Sequence, residues 1–161
     1  MLSRLIILFS FSILLGSCLK STNTNVCNYT DSNITVPASE LTALQTYVAA
    51  NRPSAVQHPG GFYYEIMSPG SGTVTPAVCS NITITYAGYL TNGIKFDESL
   101  SGVTYTLGQL IVGWQRGLPL IKEGGSINLY LPPSLGYGGT AVGSIPANSI
   151  LIFSIQLLDV Q

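Results

Sequence analysis

Residues 81–90 have the sequence NITITYAGYL, and residues 91–93 continue it with TNG. Ile82, Ile84 and Tyr86 alternate with threonine and alanine, which places the apolar side chains on one face of a strand with a period of two. Asn92-Gly93 is a pair favoured in tight hairpin turns, because such turns require positive φ angles. The stretch therefore predicts a strand with one buried face that turns directly into an antiparallel neighbour.

Further strands are predicted on both sides of this hairpin. Apolar and polar residues also alternate in residues 62–67, 103–107 and 127–131. Residues 150–158 are instead apolar at nearly every position, which is typical of a central strand buried on both faces. The number of short strands and their turn residues favour an antiparallel sheet.

Two helices are predicted. Apolar residues recur at helical spacing over Ala38–Ala50, with Ser39 as a candidate cap and Arg52-Pro53 as the stop. A second, short helix is predicted within residues 113–121, where Pro119 limits its length. Together the elements indicate an α+β fold in which the sheet folds over one short helix.

The N-terminus has the composition of an export signal. Arg4 precedes an almost uncharged apolar run that ends at Leu15, which is too short for a stable membrane-spanning helix. Leu15-Gly16-Ser17-Cys18 resembles the lipobox of bacterial lipoproteins, which implies cleavage before Cys18 and lipidation of its thiol. The alternatives are an ordinary secretory signal with a chance cysteine and a buried N-terminal helix.

Charge and cysteine content limit the classes of partner. Residues 18–161 carry five basic and seven acidic side chains, a net charge of −2, without a basic cluster, so no nucleic-acid partner is expected. If Cys18 is lipidated, Cys27 and Cys79 remain, and an oxidising compartment favours a disulfide between them over two free thiols. Two cysteines and one histidine are too few ligands for a metal site.

The sequence contains no motif that indicates a hydrolase or a nucleotide-binding protein. His58 is the single histidine, and no G-x-S-x-G motif accompanies it. The glycine-rich residues 136–139 are not followed by the Lys-Ser/Thr pair of a phosphate-binding loop. What remains is a set of aromatic residues in predicted loops and strand ends: Tyr86, Phe96, Trp114, Tyr137 and Phe153.

Residues 84–161, about half of the chain, resemble the FKBP family of peptidyl-prolyl isomerases. The resemblance rests on ordered segments with near-family spacing, namely 86–90 (YAGYL), 92–97 (NGIKFD), 113–118 (GWQRGL), 132–138 (PPSLGYG), 145–146 (IP) and 150–158. It implies an FKBP-like fold, a five-stranded antiparallel half-open sheet wrapped around a short helix. The helix predicted near residue 40 would be an N-terminal addition.

The resemblance also implies a cleft between helix, sheet and loops. Asp97, Tyr137 and Tyr86 would be its catalytic residues, and the backbone N–H of Ile111 would meet a substrate carbonyl. The implied substrate-binding residues are Phe96, Val103, Leu110, Ile111, Trp114, Ile145 and Phe153. Val103 stands where family members often carry a larger aromatic residue, which would thin one wall of the cleft.

The implied activity is cis–trans isomerisation of X-Pro bonds in exported proteins. No bond is made or broken in this reaction, so no cofactor is expected. The implied partners are proline-containing polypeptides and macrolide inhibitors of the tacrolimus or rapamycin type, and a monomer is expected. A non-catalytic peptide-binding chaperone on the same fold is the alternative, and a purely structural surface lipoprotein is a third interpretation.

The predicted organisation has four parts. Residues 1–17 are a lipoprotein signal peptide, and residues 18–36 are a flexible tether from lipidated Cys18. Residues 37–59 hold the N-terminal helix and a linker, and residues 60–161 form the isomerase domain. The predicted location is a bacterial cell envelope, with the protein anchored to a membrane through its lipid and the domain in the periplasm or at the cell surface.

Overall fold

A computed structural model describes residues 27–161, which contain two α-helices and six β-strands. The predicted signal peptide 1–17, the lipidation site Cys18 and the tether as far as residue 26 lie outside the described residues. The elements are α1 (Ala38–Asn51), β1 (Val56–His58), β2 (Phe62–Ser68), β3 (Asn81–Leu90), β4 (Lys95–Thr106), α2 (Val112–Gly117), β5 (Ser126–Leu131) and β6 (Leu151–Val160). No helix in this part of the chain is long and apolar enough to cross a membrane.

The strands form one sheet in the order β1-β2-β5-β6-β3-β4, and each neighbouring pair is antiparallel. The predicted hairpin is present as β3 and β4, with Gly93 at φ 83° in the turn. The sheet has one strand more than the five expected, because residues 56–58 pair with the start of β2 as an edge strand. His58 is the last residue of this edge strand.

The main hydrophobic core lies between α2 and one face of the sheet. Ile82 and Ile84 of β3, Leu129 of β5 and Leu157 of β6 are all completely buried there. β6 is central, as predicted, but its alternate residues Ser154 and Gln156 are exposed. The expectation of burial on both faces was wrong, because the second face of an antiparallel sheet can meet water.

Helix α1 covers part of that second face. Leu44 and Val48 are buried against Tyr63 and Tyr130, and Ile152 packs at the edge of this smaller core. The helix begins one residue after Pro37 and has no side-chain cap, so the predicted capping role of Ser39 is wrong. Proline is tolerated at this N-cap position because its missing N–H has no partner within the helix, and the helix gains its stability from packing.

The predicted short helix divides into two parts. Helix α2 ends at Gly117, and residues 118–120 form one turn of 3₁₀ helix that contains Pro119 near its start. Proline is tolerated there because the first N–H groups of a helical turn have no partner within it. Gly113 and Gly117 bring α2 close to the sheet, since a Cβ at either position would overlap the side chain of Leu131 or Leu129.

The segment before α1 lies on the domain. Cys27 and Cys79 form a disulfide with Cα atoms 5.8 Å apart, which confirms the predicted pairing. The Arg116 guanidinium donates to the carbonyl oxygens of Ser32 at 2.9 Å and Ile34 at 2.7 Å. A covalent bond and two charge-assisted hydrogen bonds thus join residues 27–36 to the domain, and the flexible tether over residues 18–36 stays a prediction.

Candidate active site

A cavity of about 180 Å³ opens between α2, the sheet and the loops that leave it. Each of β3, β4, α2 and β6 contributes to its lining, together with the loops before α2 and after β5. The lining residues are Tyr86, Asp97, Tyr105, Leu110, Ile111, Trp114, Tyr137 and Phe153. The cavity therefore depends on the tertiary fold, since segments up to 67 residues apart in the sequence meet at it.

Trp114 on α2 forms the base of the cavity and is 4% exposed. Its ring meets Tyr86 edge-on at a centroid distance of 5.1 Å and Phe153 at 5.0 Å. Edge-to-face contacts of this kind fix ring orientation as well as burying area. The Trp114 indole N–H has no hydrogen-bond partner among residues 27–161, so the ring contributes shape and an apolar surface.

Asp97 and Tyr86 form the polar pair of the site. The Tyr86 hydroxyl donates to Oδ2 of Asp97 at 2.6 Å, and the N–H of Glu98 donates to Oδ1 at 2.9 Å. Both carboxylate oxygens are thereby oriented, while the residue itself stays exposed. Burial, and then the hydrogen bond to Asp97, raise the pKa of Tyr86, so its hydroxyl remains protonated as a donor.

Tyr137 lines the cavity from a hydrogen-bonded turn that follows β5. The N–H groups of Gly136 and Gly138 both donate to the Pro133 carbonyl, at 2.9 and 2.8 Å. Tyr137 remains 39% exposed, so its ring borders both the cavity and solvent. Burial, and then the negative charge of Asp97, raise the pKa of Tyr137, which keeps this hydroxyl a donor as well.

The structure brings together seven of the residues predicted for the site. They are Tyr86, Asp97, Leu110, Ile111, Trp114, Tyr137 and Phe153. Ile111 also precedes α2 directly, and its carbonyl accepts the Trp114 N–H at 2.9 Å, which fixes the geometry of the backbone at the cavity wall.

Three predicted binding residues lie outside the lining. Phe96 packs edge-on behind Phe153 with ring centroids 5.5 Å apart, Val103 packs against the main core, and Ile145 is 6% exposed within it. All three belong to the main core or pack against it, and their role in substrate binding stays a prediction. Tyr105, which was not predicted, lines the wall instead. The alternation of residues 103–107 contained that signal, since Tyr105 shares a strand face with Val103.

A family model described as FKBP-type peptidyl-prolyl cis-trans isomerase matches residues 72–158. The chain belongs to this family. Among curated relatives of the FKBP type, FkpA of Buchnera aphidicola (Schizaphis graminum) is 46% identical over 104 residues, covering 63% of this chain and 41% of that protein. FkpA of Escherichia coli K12 is 38% identical over 104 residues, covering 63% and 38%. The chain thus spans about two fifths of the length of these curated relatives.

Two solved structures of bacterial proteins share the fold. The crystal structure of FkpA from Escherichia coli aligns with a TM-score of 0.68 at 32% identity, covering 77% of this chain and 58% of that chain. A peptidyl-prolyl cis-trans isomerase from Pseudomonas syringae pv. tomato aligns with a TM-score of 0.68 at 26% identity, covering 80% and 98%. Helix α1 lies before the segment that the family model matches.

Proposed function

We propose that the protein is a peptidyl-prolyl cis–trans isomerase that acts on X-Pro bonds of exported polypeptides. The observation that carries this proposal is the cavity over Trp114, which combines aromatic and aliphatic walls with the polar groups of the Tyr86–Asp97 pair and Tyr137. A proline ring fits such a cavity by shape and apolar contact, while the polar groups face the adjacent amide. Family membership supports the same activity.

The chemistry requires a cleft and no reactive group. Rotation about a peptide bond has a barrier of about 18–20 kcal/mol, which originates in amide resonance. The twisted transition state has lost that resonance and is less polar than the planar amide, so an apolar cavity favours it over the hydrated ground state. The same argument predicts a preference for substrates with an apolar residue before proline.

Each cavity residue has a separate proposed role. The Tyr137 hydroxyl and the N–H of Ile111 donate hydrogen bonds to substrate carbonyl groups. Asp97, held by Tyr86, interacts electrostatically with the twisting amide, as a group oriented before the reaction begins. Trp114 supplies the surface against which the proline ring lies. Phe96, Val103 and Ile145 contribute by keeping the lining in place.

The volume of the cavity limits how much of a ligand it can hold. Pockets that bury drug-sized ligands measure about 300–1,000 Å³, whereas this cavity measures about 180 Å³. It suits one ring and the neighbouring amide, with the rest of a polypeptide outside. A macrolide of the tacrolimus or rapamycin type would bind by placing one ring in the cavity, and we propose that such ligands compete with peptide.

We further propose that the protein is a monomer in the cell envelope, anchored through lipidated Cys18 after removal of residues 1–17, with residues 60–161 as the isomerase domain. The Cys27–Cys79 disulfide supports export, because disulfides persist in oxidising compartments. Cys18 and Cys27 are nine positions apart in the sequence. A chain of that length reaches at most about 30 Å, which would keep the domain near the membrane.

The anchoring proposal is tested by Cys18→Ala in the native bacterium or a bacterial expression host. The variant should lose metabolic lipid labelling and either enter the soluble fraction or remain unprocessed. Cys79→Ser is the matched control, because it also removes a cysteine but leaves the lipobox intact. Lipid labelling that persists in Cys18→Ala contradicts the proposal.

A further inference from the structure

Helix α1 makes one polar contact with the turn that leads to the cavity. Glu40, in the first turn of α1, accepts a hydrogen bond at Oε2 from the backbone N–H of Ser134 at 2.8 Å. The two residues are 94 positions apart in the sequence, and the contact is partly buried. A carboxylate acceptor makes this a charge-assisted hydrogen bond, which is stronger than one between neutral groups.

The turn at Ser134 is continuous with Tyr137. Residues 133–135 form one turn of 3₁₀ helix, in which Leu135 is completely buried. The hydrogen bonds at Gly136 and Gly138 already described continue this turn through Tyr137 to the start of the following loop. A displacement of Ser134 would therefore move the backbone that carries Tyr137.

Helix α1 also contacts the chain where it returns from that loop. Ile150 and Ile152 pack against the small core around Leu44 and Val48. The loop between Gly138 and Asn148 is closed by a hydrogen bond from the Asn148 N–H to the Gly138 carbonyl at 2.8 Å. One helix thus holds the segments on both sides of the loop, by a charged hydrogen bond on one side and by apolar packing on the other.

We propose that Glu40 is a positioning residue for Tyr137. It fixes Ser134 and, through the rigid turn, sets the position of the Tyr137 hydroxyl relative to Asp97 and the cavity. This inference rests on the proposed isomerase function, in which Tyr137 contacts the substrate. Small displacements of a contacting group are costly to catalysis, because the group must meet the transition state in a narrow range of geometry.

The test compares Glu40→Ala, Glu40→Gln and Ser39→Ala, each with native Tyr137 and with Tyr137→Phe. Ser39→Ala is the matched control, since Ser39 is the exposed neighbour on the same helix turn. We expect Glu40→Ala to lower kcat/KM for an X-Pro peptide about two- to five-fold with Tyr137 present. With Tyr137→Phe it should cause no further loss, since the hydroxyl that it positions is absent. Glu40→Gln retains an acceptor oxygen and should restore at least half of the loss.

Two results would overturn the inference while leaving the isomerase function intact. One is a Glu40→Ala protein as active as Ser39→Ala. The other is an equal loss from Glu40→Ala in the presence and absence of the Tyr137 hydroxyl, which would indicate a general loss of structure. If Glu40→Ala does not fold, the smaller residual loss in Glu40→Gln is compared instead, and an equal residual loss with and without the Tyr137 hydroxyl would also overturn the inference.

A spectroscopic readout separates this inference from the proposed function itself. If the native protein does not accelerate isomerisation, the proposed function fails, and NMR signals decide the positioning role alone. Glu40→Ala should then shift the Ser134 amide proton upfield and move the Tyr137 ring signals, whereas Ser39→Ala should move neither. Unchanged Tyr137 signals in Glu40→Ala would contradict the inference.

Discussion

The hydrogen bond between Tyr86 and Asp97 offers a direct test of the polar half of the site. Tyr86→Phe removes the hydroxyl that donates to Asp97 at 2.6 Å and keeps the ring that packs edge-on against Trp114. Hydrogen bonds to charged groups contribute about 1.5–3 kcal/mol. The effect should lie below that range, because Asp97 is exposed and retains the bond from the Glu98 N–H.

We therefore expect Tyr86→Phe to lower kcat/KM about three- to ten-fold, which corresponds to about 0.7–1.4 kcal/mol. The assay follows isomerisation of a short peptide with an apolar residue before proline. Tyr89→Phe is the matched control, since it makes the same chemical change on the same strand outside the cavity lining. The raised pKa of Tyr86 also predicts no loss of activity between pH 8 and 10, about where an ordinary tyrosine begins to ionise.

Asp97→Asn in combination with Tyr86→Phe completes the test. If the tyrosine acts by orienting the carboxylate, the double variant should lose much less than the product of the two single losses. The role assigned to the pair would be refuted if Tyr86→Phe were as active as Tyr89→Phe. It would also be refuted if the loss of kcat/KM in the double variant equalled the product of the two single losses.

Three further predictions concern the structure around the site. Cys79→Ser removes the Cys27–Cys79 disulfide, which joins residues 52 positions apart. The free energy of unfolding, measured by urea denaturation, should fall by about 4 kcal/mol. An unchanged urea midpoint would contradict this prediction. Arg116→Ala removes the hydrogen bonds to the carbonyl groups of Ser32 and Ile34, so it should lower the free energy of unfolding by about 2–3 kcal/mol and expose residues 28–35 to proteolysis. Lys122→Ala, which removes an exposed charge, should have neither effect. Burial raises the pKa of Glu65, but hydrogen bonds from neighbouring side chains outweigh it and leave that pKa lowered. The ionised Glu65 therefore stabilises the folded state above the pKa of the unfolded chain, about 4.3, and this contribution is lost as the pH falls through the folded pKa. Between pH 6 and 3, the free energy of unfolding should fall less in Glu65→Gln than in the native protein.

Much of the sheet could be predicted because alternation is a local property of the sequence. Ile82 and Ile84 are buried as the pattern of residues 81–90 requires. β1 could not be found in this way, because three residues carry no period and become a strand only by pairing with β2. The exposed face of β6 was missed for a related reason, since α1 covers only part of that side of the sheet.

The cavity wall shows why contact residues are harder to predict than strands. Val103 and Tyr105 share a strand face, and either could have reached the cleft. In the structure the pairing of β3 with β4 shifts, so that Ile84 is opposite Val103 while Tyr86 is opposite Ser99. The shift depends on how both strands fit the core, so the alternation places Val103 and Tyr105 on one face but does not show which of the two lines the cavity.

The contact between Glu40 and Ser134 could not be predicted from the sequence either. The apolar residues at helical spacing in α1 include Leu44 and Val48, which are buried against the sheet. A single carboxylate in the first turn could equally have interacted with the positive end of its own helix. Only the tertiary fold places it beside a turn 94 residues later.

The central claim is most directly tested by the rate at which the purified protein interconverts the cis and trans forms of a short X-Pro peptide, measured by exchange NMR. Uncatalysed isomerisation takes tens to hundreds of seconds. We expect the protein to accelerate the exchange at substoichiometric concentration, and Asp97→Ala and Tyr137→Phe each to lower kcat/KM about three- to thirty-fold, or about 0.7–2 kcal/mol. Folded native protein that binds the peptide without changing its exchange rate would contradict the proposed isomerase activity and favour a non-catalytic peptide clamp.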